Sequence, residues 1–236
     1  CPDEEKKILK SNQDLIDAEF LQVLEAVAQM MSEQGNQETA NRLQSLGNQL
    51  AEDLNQSSSQ TQIEELSEED LEVYWQVLME ILQAMEESKG DTEVVYPLFA
   101  ANTDRLNNTF AEILRCRVVS LFEGAEADTM DAAEYIAGII FEFGNLIQQF
   151  PLGNKASNME IAIASYETAL LVFTKEAFPQ EWGMTQNNLA VAYWDRIKGN
   201  KAENIEQAIK FNQAALLVTT QEAFPLDWAM TQNNLG

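Results

Sequence analysis

Two stretches of this chain repeat each other with a period of 46 residues. Residues 153–190 and 199–236 align without a gap, and 24 of the 38 aligned pairs are identical. Pro179 and Pro225 form one of these pairs. Repeats of this kind fold into small units that each bury an apolar face against the next unit. The sequence therefore predicts a stacked array over 153–236, in which the last unit is cut short.

Each repeat unit carries two helical patterns. In the first, apolar residues recur at spacings of three and four and predict one buried stripe: Ile161, Ala162, Tyr166, Ala169, Leu170 and Phe173. Proline disfavours helical geometry in the residue before it, so we expect this helix to end at Phe178 and Pro179. The next helix is predicted to run from near Trp182 to Gly199, where a glycine favours a stop. The helix after it is predicted to begin near Asn204.

The N-terminal part of the chain is also helical by pattern. Helices are predicted at about 18–32 and 37–54, so that residues 1–55 form a helical hairpin. The Ser- and Gln-rich segment that follows indicates a linker, which we place at 56–67.

The segment 68–152 is predicted to be a helical region that caps the repeats. Ser67 precedes three acidic residues and predicts a helix start, because its side chain can accept hydrogen bonds from the first backbone N–H groups. Pro97 predicts a kink or break near the start of the next helix, and a long helical pattern follows. The apolar pattern over 132–150 predicts a central helix that pairs with a helix over 157–177.

The charge of the chain excludes several classes of ligand. Lys and Arg total 14 against 39 Asp and Glu, which gives a net charge of -25. Residues 1–150 hold 30 of the acidic and 8 of the basic side chains, so the acidity lies in the first part. Nucleic acids and anionic membranes are bound through basic surfaces, so we expect neither as a partner. The acidity is interpreted mainly as a solvated surface that keeps the protein soluble.

The sequence shows neither a targeting signal nor a disulfide framework. No run of roughly 18 apolar residues occurs and no signal peptide is visible, so no transmembrane helix is expected. The chain starts at Cys1 and stops at Gly236 in the middle of a repeat, so we interpret it as a fragment. Two cysteines are too few for a disulfide framework, which suits a reducing, cytoplasmic compartment. Cys116 is interpreted as a small core residue, with a reactive thiol as the alternative.

The chain contains no histidine. Ser-His-Asp triads, Cys-His dyads, histidine metal sites and histidine acid–base catalysis are therefore excluded within this sequence. Glycine-rich phosphate and dinucleotide motifs and calcium-loop spacings are not found either. We expect no catalytic residue, no metal site and no cofactor, and predict that the chain is not an enzyme. A deep pocket that gathers carboxylates with strongly shifted pKa values would revive that class.

The repeat resembles the tetratricopeptide repeat. The first helix of that motif carries Leu-Gly/Ala-x-x-Tyr, which matches residues 189–193. Its second helix carries Ala, an aromatic residue and Ala, which match Ala162, Tyr166 and Ala169. The next copy departs from the pattern, since Asn212 stands at the aromatic position. The period of 46 residues also exceeds the usual ~34, because the connections between the helices are longer.

Further residues resemble more particular relatives. Repeats with Asn-Asn-Leu-Ala/Gly are similar to those of kinesin light chains. The combination of Glu-Ala-Phe-Pro, Trp and Thr-Gln-Asn-Asn-Leu resembles cyanobacterial tetratricopeptide proteins that often end in a caspase-like protease domain called CHAT. The stretch 10–17 is similar to the N-terminal region of the same proteins. The resemblance implies an all-α fold, with a helical N-terminal region followed by antiparallel helix pairs that form a right-handed superhelix.

The resemblance also implies a binding face. In tetratricopeptide stacks the first helix of each repeat lines a concave face, where the Asn before Leu-Ala/Gly bonds the backbone of a peptide. Residues one or two helical turns after this Asn share or border the same face. The implied peptide-binding residues are Asn187, Asn188, Val191, Trp194, Asp195 and Asn234. A structural role, bonding neighbouring helices, stays open for Asn187 and Asn188, and Trp194 is a candidate aromatic anchor.

These observations predict a non-catalytic scaffold that binds a protein or peptide of unknown identity, as the recruiting or sensing part of a larger protein. One alternative is a structural module in which the helical N-terminal region mediates self-association. Another is the regulatory region of a CHAT-type protease, which rests on the family resemblance alone. The acidic cluster at 64–70 is interpreted as a solvated linker and helix start, with a docking patch for a basic partner as the alternative.

Overall fold

A computed structural model describes residues 18–33, 36, 37, 39–47, 50, 67–124 and 130–235. The chain divides into two compact units, 1–61 and 62–236. All regular secondary structure in the described ranges is helical, which confirms the all-α fold class. The superhelix stays a prediction, as do the four predicted segment boundaries. None of these helices is both long and apolar enough to cross a membrane.

The first unit contains helix α1, Ala18–Glu33, and helical residues at 37, 39–47 and 50. A Cβ atom added to Gly47 would lie 3.2 Å from Leu24 Cδ2. The two helical stretches of the predicted hairpin therefore pack closely at this point. The rest of the hairpin, most of the predicted linker and the stretch 10–17 lie outside the described residues.

The second unit is built from helices that pack in consecutive pairs. α5 packs closely on α6, and α7 on α8, while α4 and α7 both flank α6. The predicted pairing of the central apolar helix with the first repeat helix is thereby confirmed. The helices of this unit, in chain order, are α2 Glu68–Ser88, α3 Thr92–Ala101, α4 Asn108–Gly124, α5 Met130–Gln149, α6 Lys155–Ala169, α7 Pro179–Asp195, α8 Lys201–Ala215 and α9 Pro225–Leu235.

The sequence period reappears in the helix bounds. α6 and α8 begin 46 residues apart, and so do α7 and α9. The turns before α6 and α8 use the same device at Gly153 and Gly199, which have φ of 77° and 75°. Buried asparagines brace these turns: Asn158 Nδ2 donates to the carbonyl of residue 152 at 2.9 Å, and Asn204 Nδ2 to that of residue 198 at 2.7 Å. Glycine adopts this left-handed backbone without steric cost, so each repeat has the residue its turn requires.

The helix starts follow capping rules. Ser67 caps α2, and its Oγ accepts a hydrogen bond from the Asp70 backbone N–H at 3.1 Å, which confirms the predicted start. Asn154 and Asn200 cap α6 and α8 in the same way, with side chains in contact with the first-turn N–H groups. Each cap satisfies backbone donors that have no partner inside the helix.

The structure differs from two expectations about proline. α6 ends at Ala169, well before Pro179, which is instead the first residue of α7. Proline suits that position because its missing N–H has no intrahelical partner there and its φ is already helical. Pro97 lies inside α3, which continues to Ala101, so the predicted break does not occur there, and the chain turns at 102–107 before α4. A kink at Pro97 stays a prediction.

The following helices begin and end earlier than expected. α7 ends at Asp195 rather than at Gly199, and α8 begins at Lys201 rather than near Asn204. The glycine belongs to the turn between the two helices, and the asparagine braces that turn from inside α8.

α6 is the centre of the second unit. Every residue from Asn158 to Tyr166 is buried, so the expected single apolar stripe was too narrow. Neighbouring helices cover α6 on several sides, and its small residues allow their close approach. The core to which α6 belongs runs without interruption from Val77 in α2 to Ala192 in α7.

Cys116 lies on the exposed side of α4, contrary to the expectation of a core position. The core side of this helix is formed by Phe110, Leu114 and Val118. These residues follow one another at a spacing of four, and residue 116 falls halfway between two of them, on the other side of the helix. Its small apolar character was therefore a poor guide to burial.

Candidate binding face

The first helices of successive pairs, α5, α7 and α9, are joined by side-chain amides. Asn188 Nδ2 donates to Asn145 Oδ1 at 2.8 Å, which links α7 to α5. Asn234 Nδ2 donates to Asn187 Oδ1 at 3.0 Å, which links α9 to α7. The helices that would carry a common binding face are thus held together by direct bonds.

Tyr166 extends this network into the core. Its hydroxyl lies 2.9 Å from Asn145 Oδ1 and 2.8 Å from Gln148 Oε1. Burial, and then the negative charge of Glu142, raise the pKa of Tyr166 well above its usual range. The phenol therefore keeps its proton as a hydrogen-bond donor, and it fixes the amide acceptor that Asn188 uses.

The six predicted site residues fall in different environments. Asn188, Val191 and Asp195 follow one another at spacings of three and four and so form one stripe along α7. Asn187 lies on the buried side of the same helix, only 6% exposed, where it accepts the bond from Asn234. The interhelical bonding that was left open for Asn187 and Asn188 is therefore present. Peptide binding by any of the six residues stays a prediction.

Trp194 is the large aromatic residue of this region, and it is 51% exposed. Lys201 Nζ lies 5.6 Å from the centre of the indole ring and also donates to the Trp194 carbonyl oxygen. A cation placed over an indole is attracted by the negative face of the ring. The contact with Lys201 favours this position of the Trp194 side chain, about half of whose surface faces outwards.

A cleft that the sequence analysis did not predict lies at the start of this face. It has a volume of about 800 Å³ and is enclosed by the end of α2, the first half of α5, Phe173 and the first turns of α7. α7 contributes Glu181 and Met184, which lie two turns and one turn before Asn188 on the same stripe. The cleft therefore adjoins the stripe that Asn188, Val191 and Asp195 form along α7.

Part of this cleft was visible in the repeat. Glu181 and Met184 correspond to Asp227 and Met230 of the next copy, and Met230 is 57% exposed. Met184 itself is partly buried against the core, so its recurrence as Met230 is the sequence signal for this part of the cleft. The walls formed by α2 and α5 carried no such signal, because neither helix belongs to the repeat that aligns.

The described ranges contain no group of three Cys, Asp or Glu side chains placed to hold a metal ion. The fold and the face define an all-α protein of packed helix pairs, in which α6 and α7 recur 46 residues later as α8 and α9. Comparison of the chain with protein-family models, with curated proteins and with solved structures finds no match. The resemblance to tetratricopeptide proteins accordingly stays a prediction.

Proposed function

We propose that this chain is a non-catalytic scaffold that binds a protein or peptide on the face formed by α5, α7 and α9, as the recruiting or sensing part of a larger protein. The observation that carries the proposal is the recurrence, 46 residues apart, of Met184 with Met230 and of Asn188 with Asn234 on this face. Repeats that present the same side chains in register form extended surfaces suited to a peptide chain.

The bonds beneath the face support the same function. The bonds that Asn145 and Asn187 accept hold α5, α7 and α9 together. The outward-facing side chains of these three helices therefore keep fixed spacings. A surface that is ordered before binding loses less conformational entropy when a partner arrives. Trp194, exposed and in contact with Lys201, has the properties of an aromatic anchor.

A library of random dodecapeptides displayed on phage tests this proposal with the full chain as bait. We expect a family of related peptides to be enriched. The enriched peptides are then synthesised and their affinity is measured. Substituting Asn188 and Trp194 together by Ala is expected to lower this affinity about tenfold or more, because central anchors carry most of the binding energy. Leu217→Ala is the matched control, since this side chain is exposed (63%) but lies after α8.

Two outcomes would contradict the proposal. If no peptide family is enriched, the chain is not a peptide-binding scaffold. If the double variant binds as tightly as the unchanged chain, the predicted residues of α7 are not the site. Far-UV circular dichroism and the thermal midpoint of each variant are needed, because Asn188 also joins α7 to α5.

Self-association is the second candidate function. Several large apolar side chains between the end of α8 and the middle of α9 are exposed, among them Leu217, Leu226 and Met230 at 63%, 79% and 57%. Exposed apolar surface of this kind can be covered by a second copy. Light scattering over a range of concentrations decides the matter, and a monomer at every concentration would reject this candidate.

The proposed membership of a cyanobacterial tetratricopeptide protein, and the role of a regulatory region for a CHAT-type protease, are supported by the sequence resemblance alone. A cytoplasmic location belongs to the same proposal. The reading frame beyond Gly236 tests it, because a caspase-like domain would follow there.

A further inference from the structure

The cleft at the start of the face combines an apolar floor with an acidic rim. Met85, Phe141, Phe173 and Met184 line the floor, and they come from four separate parts of the chain. The rim is made by polar side chains of α2, α5 and α7. A ligand that fits this arrangement has an apolar body and a charged or polar end.

The rim has one dominant sign of charge. Glu86, Glu134, Glu142 and Glu181 line the cleft together with one basic residue, Lys89. Carboxylates that converge on a concave surface with apolar walls raise the local concentration of cations. The net charge of the chain, -25, acts in the same direction at longer range. An anionic ligand would be repelled at both distances.

One side-chain hydrogen bond joins two walls of the cleft, α2 and α5. The Tyr135 hydroxyl on α5 donates to Glu86 Oε1 on α2 at 2.8 Å. This bond raises the pKa of Tyr135, so the phenol stays protonated. The ends of α2 and α5 are therefore joined at the opening by this exposed contact as well as by the shared core.

Gly138 lines the cleft and has no packing reason to be glycine. An added Cβ atom there would meet no heavy atom within 4 Å, whereas one at Gly144 of the same helix would lie 2.7 Å from Tyr166 Cε1. Glycine inside a helix costs up to about 1 kcal/mol relative to alanine. The space above Gly138 is part of the cleft, so a large side chain placed at this position would occupy it.

We propose that this cleft binds a Lys or Arg side chain of a partner peptide whose neighbouring residues are apolar. The long aliphatic stem of such a side chain packs on the floor while its cationic end reaches the carboxylates of the rim. A volume of about 800 Å³ also accommodates the adjoining apolar side chains. The inference rests on the proposed function, because it names the chemistry of the peptide that the face recognises.

Gly138→Phe tests the inference by filling the cleft from its α5 wall. The dodecapeptides enriched on the full chain are expected to carry Lys or Arg next to Leu, Ile, Met or Phe. Their synthetic forms should lose about tenfold or more in affinity for the Phe variant, because the anchoring side chain is excluded. Gly138→Ala is the matched control, since one methyl group leaves most of the cleft open, and it should bind within about twofold.

A charge-reversal pair gives a second test that does not depend on how well the Phe variant folds. Glu134→Lys combined with Glu181→Lys should lower the affinity for the peptides about tenfold at low salt. This loss of affinity should be smaller at about 1 M salt, where charges are screened within about 3 Å. Glu176→Lys combined with Glu222→Lys is the control. These two residues are exposed repeat counterparts outside the cleft, and they change the net charge equally.

The outcomes separate this inference from the proposed function. Enriched peptides without Lys or Arg, or unchanged binding to both the Phe and the charge-reversal variants, would overturn the inference. If binding is then still lost in the Asn188 and Trp194 double variant, the scaffold function stands without it. If no peptide is enriched at all, both fail. Replacing the basic residue of an enriched peptide by Gln should reproduce the loss seen with the variants.

Discussion

Three glycines inside helices show how differently one residue type is used in this molecule. Gly144 faces the Tyr166 ring, and Gly183 faces methyl groups of Val218 and Thr219 at 2.8 Å from an added Cβ position. Both allow helices to approach closely. Gly138 has open space instead. The same substitution should therefore change stability in opposite directions at these positions.

We predict that Gly138→Ala raises the free energy of unfolding by about 0.5–1 kcal/mol, because alanine loses less backbone entropy in a helix. Gly144→Ala should lower it by about 1–3 kcal/mol, because the buried Tyr166 ring cannot move aside in a close-packed core. Urea denaturation of the two variants measures both changes. Equal effects at the two positions would contradict the close approach at Gly144.

Gly183 can be compared with its counterpart in the next copy of the repeat. Its counterpart in the next copy is Ala229, which is exposed on α9. Gly183→Ala should be destabilising although the repeat itself accepts alanine at that position. A neutral result would mean that the side chains of Val218 and Thr219 can adjust.

At the scale of the helices, sequence patterns predicted which segments pair but not where they end. The spacing of apolar residues identified α5 and α6 as partners, since burial is what sets that spacing. The ends depend on capping and on turn geometry, which a short motif shows ambiguously. Pro179 illustrates this, because proline both terminates helices and occupies their first turn.

The candidate site shows the same limit. The repeat alignment placed Asn188 and Asn234 in equivalent positions, but it did not reveal their partners, Asn145 on α5 and Asn187 on α7. The cleft was missed because two of its walls, α2 and α5, lie outside the aligned repeats. Contacts between distant segments depend on the tertiary packing, and one sequence carries no direct record of them.

An ion pair joins α6 to the end of α7. Arg196 Nε and Nη2 donate to Glu160 Oε1 and Oε2 at 2.8 and 3.0 Å, and the two side chains are only 17% and 11% exposed. Two parallel hydrogen bonds of this kind are among the stronger polar contacts in proteins. The Arg196 guanidinium also lies 5.2 Å from the Tyr193 ring centre.

Glu160→Gln should lower the free energy of unfolding by about 1–3 kcal/mol, because it removes the carboxylate that faces a largely buried guanidinium. The repeat supplies the matched control: Glu206 is the counterpart of Glu160 and is exposed. Glu206→Gln should change the stability by less than about 0.5 kcal/mol. Equal losses in urea denaturation at the two positions would show that the ion pair contributes little.

At the scale of the whole molecule, charge opposes compactness. A net charge of -25 over 236 residues places many like charges within one Debye length at low ionic strength. Mutual repulsion of this kind destabilises a compact state. The Glu160–Arg196 pair acts in the opposite sense, but it is largely buried and is screened less by salt.

These two effects predict the direction of the salt dependence. Raising sodium chloride from about 0.01 M to about 0.1 M shortens the Debye length from about 30 Å to about 10 Å. Repulsion between surface carboxylates then weakens while the buried pair is little changed, so the thermal midpoint of the second unit should rise. The rise should be a few degrees, since about 1 kcal/mol shifts the midpoint by roughly 2–4 °C in a unit of this size.

Differential scanning calorimetry over this range measures the rise. Glu72→Gln combined with Glu80→Gln, two exposed positions on α2, should raise the low-salt midpoint and reduce its slope against salt, because both substitutions remove repelling charges. A midpoint that falls steadily as salt is added would mean that attractive ion pairs outweigh the repulsion. The acidic surface would then stabilise this fold, and a cationic partner would have to displace those pairs in order to bind.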